Sequence, residues 1–322
     1  MVRIIDLKGK ERKFDTLNEA CQVLEGEGQL PGEIVGLFLE PHDGGRAVEP
    51  VVWPSEADPS SSCRREIALK RLQGEGIAFD LRRVWDRLLG LGIEAALARA
   101  ELDGWLYQPS VPDDILRSGK FIVIDDVLVG LAPGQDGQKR WAVRSDVLGC
   151  NLRGRIDRLS LDGKTIIDWK VTGYPGPGRD WGLNSGWVFQ LQLYAHMMRL
   201  LLEDVTSEEQ KLEIWRVYRD PYVWKDQGPG RPKKKMADID VAFRRFEVPV
   251  WDDEKLLEKV GDHCRSTDGI LRALAEDPAS VAEILADVPM DGEVRRIYGG
   301  RKCTDYCDVR EWCFRLAGRP EF

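Results

Sequence analysis

Two aspartates and a lysine are the residues of this sequence whose spacing best fits chemistry on a charged substrate. Asp168 and Lys170 are two residues apart in KTIIDWKV, so on a β-strand both side chains would leave the same face. The Asp162-Gly163 pair predicts a hairpin that folds the earlier Asp157 back beside Asp168. Two neighbouring carboxylates can share a divalent metal ion, and a lysine beside them can orient a water or offset charge on a phosphate.

Two further positions add to this pattern. Gln190 and Tyr194 are four residues apart in a segment with an apolar helical face, so they would project from one face of a helix toward a common neighbour. Upstream, the segment GLGIE ends in Glu94 on a predicted helix. Two interpretations of Glu94 are open, a solvated helix residue or a third carboxylate of the metal site.

The elements that would position these residues follow from the hydrophobic period. Apolar residues recur at helical spacing over residues 63–103. From Lys120 the period changes to two, which predicts consecutive strands of one sheet at FIVIDDVLVG, RWAVRSDVLG, NLRGRIDRLS and KTIIDWKV. The helix of Gln190 follows, and then two more strands, KLEIWRVYR and DVAFRRFEVPV, around a basic loop that contains residues 230–235. We expect a lead-in of helix plus hairpin over residues 1–56 and a separate domain over residues 57–322.

The charge of the chain is unevenly distributed. The 322 residues carry a formal charge of −8, which alone argues against a partner as acidic as DNA. Residues 139–179 nevertheless hold nine basic and four acidic side chains, so this window carries +5 and the remainder −13. Arg153, Arg155 and Arg158 in the window, and the loop at residues 231–235, are candidates for phosphate contacts.

The apolar segments are too short for a membrane protein. No run approaches the roughly 18 residues that a membrane span needs, and the amino-terminal segment lacks the apolar stretch of a signal peptide. We therefore expect a cytoplasmic protein with no membrane partner.

Four of the seven cysteines form a pattern. Cys303, Cys307 and Cys313 are close together near the carboxyl end, and Cys63 lies 240 residues before Cys303. Disulfides are rare in a cytosolic chain, so this clustering matters more than the number. The scattered cysteines, at positions 21, 150 and 264, are predicted to be small buried hydrophobic residues.

In these motifs the sequence resembles the PD-(D/E)XK nuclease superfamily, in particular its RecB-like branch with an iron-sulfur cluster, which includes nucleases of the AddB, CRISPR-adaptation and phage exonuclease types. The resemblance runs in order from Cys63 to Cys313, through G-x-x-x-E ending at Glu94, G-x-x-D ending at Asp157, D-x-K from Asp168, and Q-x-x-x-Y from Gln190. The fold it implies is α/β: a restriction-endonuclease-like core, with a central mixed β-sheet flanked by helices and with cysteine-ligated ends.

The resemblance implies a metal-dependent DNA nuclease that hydrolyses phosphodiester bonds, most consistent with an exonuclease on single-stranded or end-containing DNA. It implies that Asp157, Asp168, Glu94 and the backbone carbonyl of Trp169 hold Mg²⁺ or Mn²⁺. Lys170 would position the attacking water or stabilise negative charge, with Gln190 and Tyr194 supporting it or contacting the nucleic acid. The partner proteins it implies belong to recombination, replication or CRISPR adaptation.

The resemblance also assigns Cys63, Cys303, Cys307 and Cys313 to a 4Fe-4S cluster, in a carboxyl-terminal region over residues 295–322. Four thiolates suit zinc as well, but zinc sites usually use paired C-x2-C units, which this chain lacks. The alternative to a nuclease is a catalytically inactive nucleic-acid-binding or assembly protein that retains the nuclease fold.

Overall fold

The computed structural model describes most of the chain that carries these motifs. The described residues are 2–6, 10–27, 48–72, 78–80, 105–107, 123–124, 127–128, 141–160, 162–172, 182–202, 204–218, 222–225, 233–236, 243–295, 297–303, 307 and 309–319. The predicted helix with Glu94 lies outside them, as do residues 230–232 of the basic loop.

The strands and helices are numbered along the chain. The strands are β1 (Val2–Ile5), β2 (Glu11–Phe14), β3 (Ala78–Asp80), β4 (Trp105–Tyr107), β5 (Val123–Ile124), β6 (Val127–Leu128), β7 (Trp141–Ser145), β8 (Cys150–Gly154), β9 (Arg158–Ser160), β10 (Thr165–Thr172), β11 (Lys211–Tyr218), β12 (Tyr222–Lys225), β13 (Lys233–Met236) and β14 (Phe243–Val248). The α-helices are α1 (Leu17–Gly26), α2 (Arg64–Leu72), α3 (Ser185–Leu201), α4 (Asp253–Glu276), α5 (Val281–Ile284), α6 (Asp291–Val294) and α7 (Arg310–Leu316).

The chain divides into two compact units. The first comprises Met1–Val52, Pro59–Leu88 and Asp262–Phe322, and the second comprises Trp53–Asp58 and Leu89–Gly261. Within the described residues, none of the helices combines the length and the apolar character needed to cross a membrane.

The second unit is built on a five-stranded sheet. Its order is β14-β11-β10-β9-β4, with β10 and β11 parallel and the other neighbours antiparallel. Helix α3 connects the two parallel strands and packs against them, as a parallel pair requires. This arrangement confirms the predicted α/β class with a central mixed sheet flanked by helices.

The four β-branched runs do not form one sheet, so that expectation was wrong. Strand β5 pairs with β6, and β7 pairs with β8, in separate two-stranded sheets. The run NLRGRIDRLS makes two strands, because residues 155–157 leave the extended ladder between β8 and β9. Only the second of these strands joins the sheet of β10.

The predicted hairpin between Asp157 and Asp168 is present, with a longer connection than two residues. Strand β9 ends at Ser160 and β10 begins at Thr165. The Gly163 N–H donates to the Ser160 carbonyl at 2.9 Å, and Gly163 has φ +72°, a conformation that suits glycine. The Asp162 carboxylate accepts from the Lys164 N–H at 3.0 Å and so braces the turn.

A buried polar network fixes helix α3 within the second unit. His196 has no solvent exposure, and its two ring nitrogens lie 2.8 Å from Ser145 Oγ and 2.9 Å from Asp253 Oδ1. Arg199 donates to the same Asp253 oxygen at 2.7 Å. Although these side chains resemble a hydrolytic triad, Ser145 is fully buried and accepts from the Leu148 N–H at 3.1 Å. The network therefore anchors a helix and offers no nucleophile to a substrate.

The first unit contains the sheet β2-β1-β3 and a separate apolar core. That core joins α2 to the carboxyl-terminal helices through side chains such as Leu69, Leu271 and Phe314. The sequence of α2 suits its direction, because Glu66 is in the first turn and Lys70 in the last, and the two form an ion pair at 2.8 Å.

Candidate active site

Strands β9 and β10 bring Asp157 and Asp168 together. The antiparallel register pairs Leu159 with Ile166 and Arg158 with Ile167, so that Asp157 follows on directly opposite Asp168. The Asp157 Oδ2 atom accepts from the Trp169 N–H at 2.8 Å, which fixes this carboxylate against β10.

Lys170 connects the sheet to helix α3. Its Nζ atom lies 2.6 Å from Asp168 Oδ2 and donates to Gln190 Oε1 at 2.9 Å. The Gln190 Nε2 atom in turn donates to the Tyr194 hydroxyl at 3.0 Å. The structure therefore places Asp168, Lys170, Gln190 and Tyr194 in one continuous chain of polar contacts.

Tyr194 is buried at the end of this chain. Burial, and then the negative charge of Asp168, raise the pKa of Tyr194 well above its ordinary value. The phenol therefore stays neutral at physiological pH and accepts a hydrogen bond from Gln190. Gly154 makes room for the ring, since a Cβ at this position would lie 2.6 Å from Tyr194 Cε1. The close approach of the Tyr194 ring thus explains why the G-x-x-D motif has a glycine at position 154, which the motif alone did not reveal.

The carboxylates of this site fit a divalent cation. Asp168 is only 1% exposed, and its Oδ2 atom accepts no hydrogen bond from the described residues, since the close contact with Lys170 Nζ is an ion pair without hydrogen-bond geometry. The Lys170 ammonium, 2.6 Å away, offsets part of the cost of burying this carboxylate, and a divalent cation held between Asp157 and Asp168 would offset more. Within the described part of the chain, no three His, Cys, Asp or Glu side chains are grouped as a complete metal site. Glu94, the predicted third carboxylate, lies outside that part.

The four patterned cysteines lie in the first unit. Cys63, Cys303 and Cys313 belong to the apolar core that joins α2 to the carboxyl-terminal helices, and Cys307 packs against it. All four are free thiols. Cys63 and Cys313 both contribute to raising the pKa of Cys303 and of Cys307, an effect that requires the four side chains to be near one another. Residues 240 apart in sequence are thus neighbours in space.

Burial raises the pKa of the three carboxyl-terminal thiols. It is the main reason that the pKa of Cys303 rises to about 11, and it raises the pKa of Cys307 further. The donor set fits a thiolate-bound group in its chemistry, but each ligand must lose its proton on binding. Although all four cysteines are among the described residues, no three of them, alone or with a His, Asp or Glu, are grouped closely enough to hold a metal ion in this structure.

Asp291 and Gly292 hold the two parts of the cysteine set in place. The fully buried Asp291 accepts three hydrogen bonds from Arg64, the residue after Cys63: from its N–H at 3.0 Å, Nε at 2.9 Å and Nη2 at 2.8 Å. A Cβ on Gly292 would lie 2.5 Å from Cys303 Sγ, so the bare backbone closes over this sulfur.

The scattered cysteines behave largely as predicted. Cys150 and Cys264 are fully buried, whereas Cys21 is half-buried.

Two of the three arginines named as candidates for phosphate contacts in the 139–179 window lie in the interior. Arg153 and Arg158 are 5% and 1% exposed, so they are part of the interior, and Arg155 is half-buried. Sequence reasoning missed two other arginines, Arg216 and Arg244, which the sheet register aligns with Lys170. Their only signal in the sequence was their position within the predicted strands.

A comparison with family models identifies the protein class. The model of the PD-(D/E)XK nuclease superfamily matches residues 76–314, which include every proposed active-site residue. The chain belongs to the PD-(D/E)XK nuclease superfamily, and its mixed α/β sheet is consistent with the restriction-endonuclease-like fold of that superfamily. Nucleases of this superfamily typically use Mg²⁺ or Mn²⁺.

Individual relatives add little to this family assignment. The crystal structure of SSO0001 is similar over 80% of this chain and 95% of that chain, with 11% sequence identity and a TM-score of 0.34. No individual curated protein shows significant similarity to the chain.

Proposed function

We propose that this protein is a metal-dependent deoxyribonuclease that hydrolyses DNA phosphodiester bonds as an exonuclease, on single-stranded or end-containing DNA. The observation that carries the proposal is the contact chain Asp168–Lys170–Gln190–Tyr194 beside Asp157, in a member of a nuclease superfamily. The exonuclease mode and the DNA substrate extend the RecB-like motif pattern. The same pattern supports a cytoplasmic role with recombination, replication or CRISPR-adaptation partners.

Asp157 and Asp168 are the proposed metal ligands, together with Glu94 and the backbone carbonyl of Trp169. A bound Mg²⁺ or Mn²⁺ would polarise the phosphate and lower the pKa of an attacking water. The Asp157 carboxylate is preoriented for this role, because the Trp169 N–H fixes one of its oxygens.

Lys170 is the proposed catalytic cation. Its ammonium group is held between Asp168 and Gln190, with its charge beside the proposed position of the phosphate. There it can orient a water and offset the negative charge that develops in the transition state. Gln190 holds Lys170 in this orientation by accepting its hydrogen bond, and Tyr194 holds Gln190 by accepting from its Nε2 atom.

Paired lysine substitutions test the nuclease proposal. Lys170→Met should abolish degradation of end-labelled single- and double-stranded DNA with Mg²⁺ or Mn²⁺. Lys164→Met removes another lysine from the same hairpin. The exposed ion pair of Lys164 with Glu209 contributes little to stability, so this variant should retain wild-type activity. Wild-type protein that binds DNA but cleaves neither substrate would instead support the inactive binding protein.

We further propose that Cys63, Cys303, Cys307 and Cys313 bind a structural 4Fe-4S cluster. Support comes from the four free thiols in one apolar core and from the single upstream cysteine combined with a carboxyl-terminal triplet. Such a cluster would link distant parts of the chain, as a crosslink does across a long loop. Purified protein should be brown, with broad visible absorbance that Cys63→Ala and Cys303→Ala each abolish. A colourless protein that contains zinc would overturn the assignment.

A further inference from the structure

A row of three cations crosses the sheet of the second unit on the face that carries the candidate active site. The register pairs Lys170 on β10 with Arg216 on β11, and Arg216 with Arg244 on β14. Directly opposite residues on neighbouring strands present their side chains to the same face. All three cations therefore share the face of Asp168.

The central cation of the row is held rigidly. Arg216 is 2% exposed, and its Nη1 atom donates to the Gly182 carbonyl at 3.0 Å, just before helix α3. Its guanidinium carbon lies 4.9 Å from the ring centroid of Tyr218 and 4.8 Å from that of Phe246. Because water is excluded, this charge is screened less than a charge on the surface.

The outer cation is accessible. Arg244 is exposed, and its guanidinium lies 5.4 Å from the Phe246 ring centroid. Like charges directly opposite each other on neighbouring strands repel. A phosphate beside the exposed Arg244 would therefore also be attracted by the buried charge of Arg216.

We propose that the row Lys170–Arg216–Arg244 binds the sugar-phosphate backbone of the nucleic-acid strand next to the phosphate that is cleaved. This inference rests on the proposed nuclease function and adds the direction of the nucleic-acid strand, from Lys170 toward the exposed Arg244 on β14. Arg244 contacts a phosphate directly, at two strand spacings or about 10 Å from Lys170. Arg216 is a positioning residue that supplies buried positive charge between the two.

The neighbouring arginine provides a matched control. Arg245 is also exposed and lies on the same strand, but it belongs to the opposite face, where it pairs with Glu213 and lies 6.0 Å over the Trp215 ring. Arg244→Gln and Arg245→Gln therefore remove the same charge from adjacent positions on the two faces. If DNA were held only by general electrostatic attraction, both substitutions would weaken binding equally. If DNA lies along the row, only Arg244→Gln weakens binding.

The experiment measures affinity separately from cleavage. A fluorescent single-stranded DNA of about 20 nucleotides, longer than typical single-strand sites, is titrated by anisotropy over a range of salt concentrations. The protein carries Asp168→Asn so that the DNA stays intact. Adding Arg244→Gln should weaken binding about fivefold at about 0.1 M salt, and should make the slope of log K against log salt shallower by about 0.7. Arg245→Gln should change neither value by a comparable amount, and Arg244→Lys should restore most of the affinity.

If Arg244→Gln and Arg245→Gln weakened DNA binding equally, the proposed position of the nucleic-acid strand along the row would be wrong. The proposed function fails independently, if otherwise wild-type protein with Mg²⁺ or Mn²⁺ leaves DNA intact. In the active protein, Arg244→Gln should raise KM about as much as it weakens binding and leave kcat unchanged. A fall in kcat with unchanged KM would also contradict the proposal.

Discussion

The two regions singled out by the motifs are assembled in opposite ways. In the second unit, the candidate active site is a set of charged and polar groups that already contact one another, from Asp168 to Tyr194. In the first unit, the patterned cysteines belong to an apolar core or pack against it, with burial raising the pKa of Cys303. The candidate active site is therefore prepared for a charged ligand, whereas the cysteines must lose protons before they can bind a metal group.

This difference indicates which substitutions should affect mainly activity and which should affect mainly stability. In the active site, Asp168 lies opposite the like charge of Asp157, so its substitution should remove activity at a smaller cost in stability than that of Asp291, which accepts three hydrogen bonds from Arg64. Around the cysteines, the ion pair between Arg64 and Asp291 is buried inside the first unit, so its loss should primarily affect stability. The predictions below test this separation.

The largest effect is expected at Asp168. Asp168→Asn should lower the rate of DNA cleavage at least about a thousandfold, roughly 4 kcal/mol of transition-state stabilisation, because the buried metal carboxylate is lost. Single-turnover cleavage measures this, and Asp146→Asn, whose side chain is 97% exposed, serves as the control. If the substitution unfolded the protein to the extent expected of Asp291→Asn, the proposed separation would be wrong.

A loss of stability of about 3 kcal/mol is expected from Asp291→Asn, because it removes the fully buried anionic partner of the half-buried Arg64. Denaturant unfolding measures the change. The substitution should also lower the visible absorbance of the proposed cluster. Glu293→Gln, which disrupts the exposed pair with Arg319, is the matched control and should have little effect on either quantity.

Gly292→Ala should have an intermediate effect of about 2 kcal/mol, because the new methyl group would overlap Cys303 Sγ and the Lys302 side chain. Iron and sulfide content per chain is the most direct measurement. Gly269→Ala, at a helical position with open space around the glycine, should preserve both stability and iron content. Full iron content in the Gly292 variant would show that this backbone contact does not position the ligand.

Gln190→Ala should lower the cleavage rate roughly tenfold, about 1.5 kcal/mol, because Lys170 loses a neutral acceptor that orients it. Tyr194→Phe should have a smaller effect, since it removes only the acceptor for Gln190. Comparing kcat for the two variants tests whether Tyr194 acts on Lys170 through Gln190. A larger loss for Tyr194→Phe would indicate that the hydroxyl acts on the substrate itself.

The smallest effect concerns pH. Hydrogen bonds from His196 and Arg199 lower the pKa of Asp253 below its ordinary 3.8, despite an opposing contribution from burial. The folded pKa lies below the unfolded value, so this carboxylate contributes stability above about pH 4, and that contribution is lost as the pH falls. With the side chain 46% exposed, we expect less than about 1 kcal/mol. The stability difference between wild type and Asp253→Asn should shrink in urea titrations from pH 7 toward pH 3.

Local spacing rules explain why much of the candidate site could be predicted. The side chains of Asp168 and Lys170 share a face because strands alternate, and Gln190 and Tyr194 share one because a helix repeats every 3.6 residues. The crossover through α3 then brings both pairs together.

Long-range pairing explains what could not be predicted. The alignment of Arg244 with Lys170 depends on the register of two further strands, which no local pattern specifies. The interior position of Arg158 was missed because a count of charges does not indicate which face of a strand they occupy. The break between β8 and β9 depends on packing, since Gly154 faces Tyr194 and Pro54.

The Arg64–Asp291 contact also has a consequence for the order of folding. Its partners are 227 residues apart, so the contact cannot form until the ribosome has added residue 291. The contact chain Asp168–Lys170–Gln190–Tyr194 needs only the segment from Asp168 to Tyr194. Closing so long a loop is slow and entropically costly. We expect nascent chains to acquire the relay first and to close the cysteine core last, which makes the thiols of unfinished chains the most exposed to oxidation during synthesis.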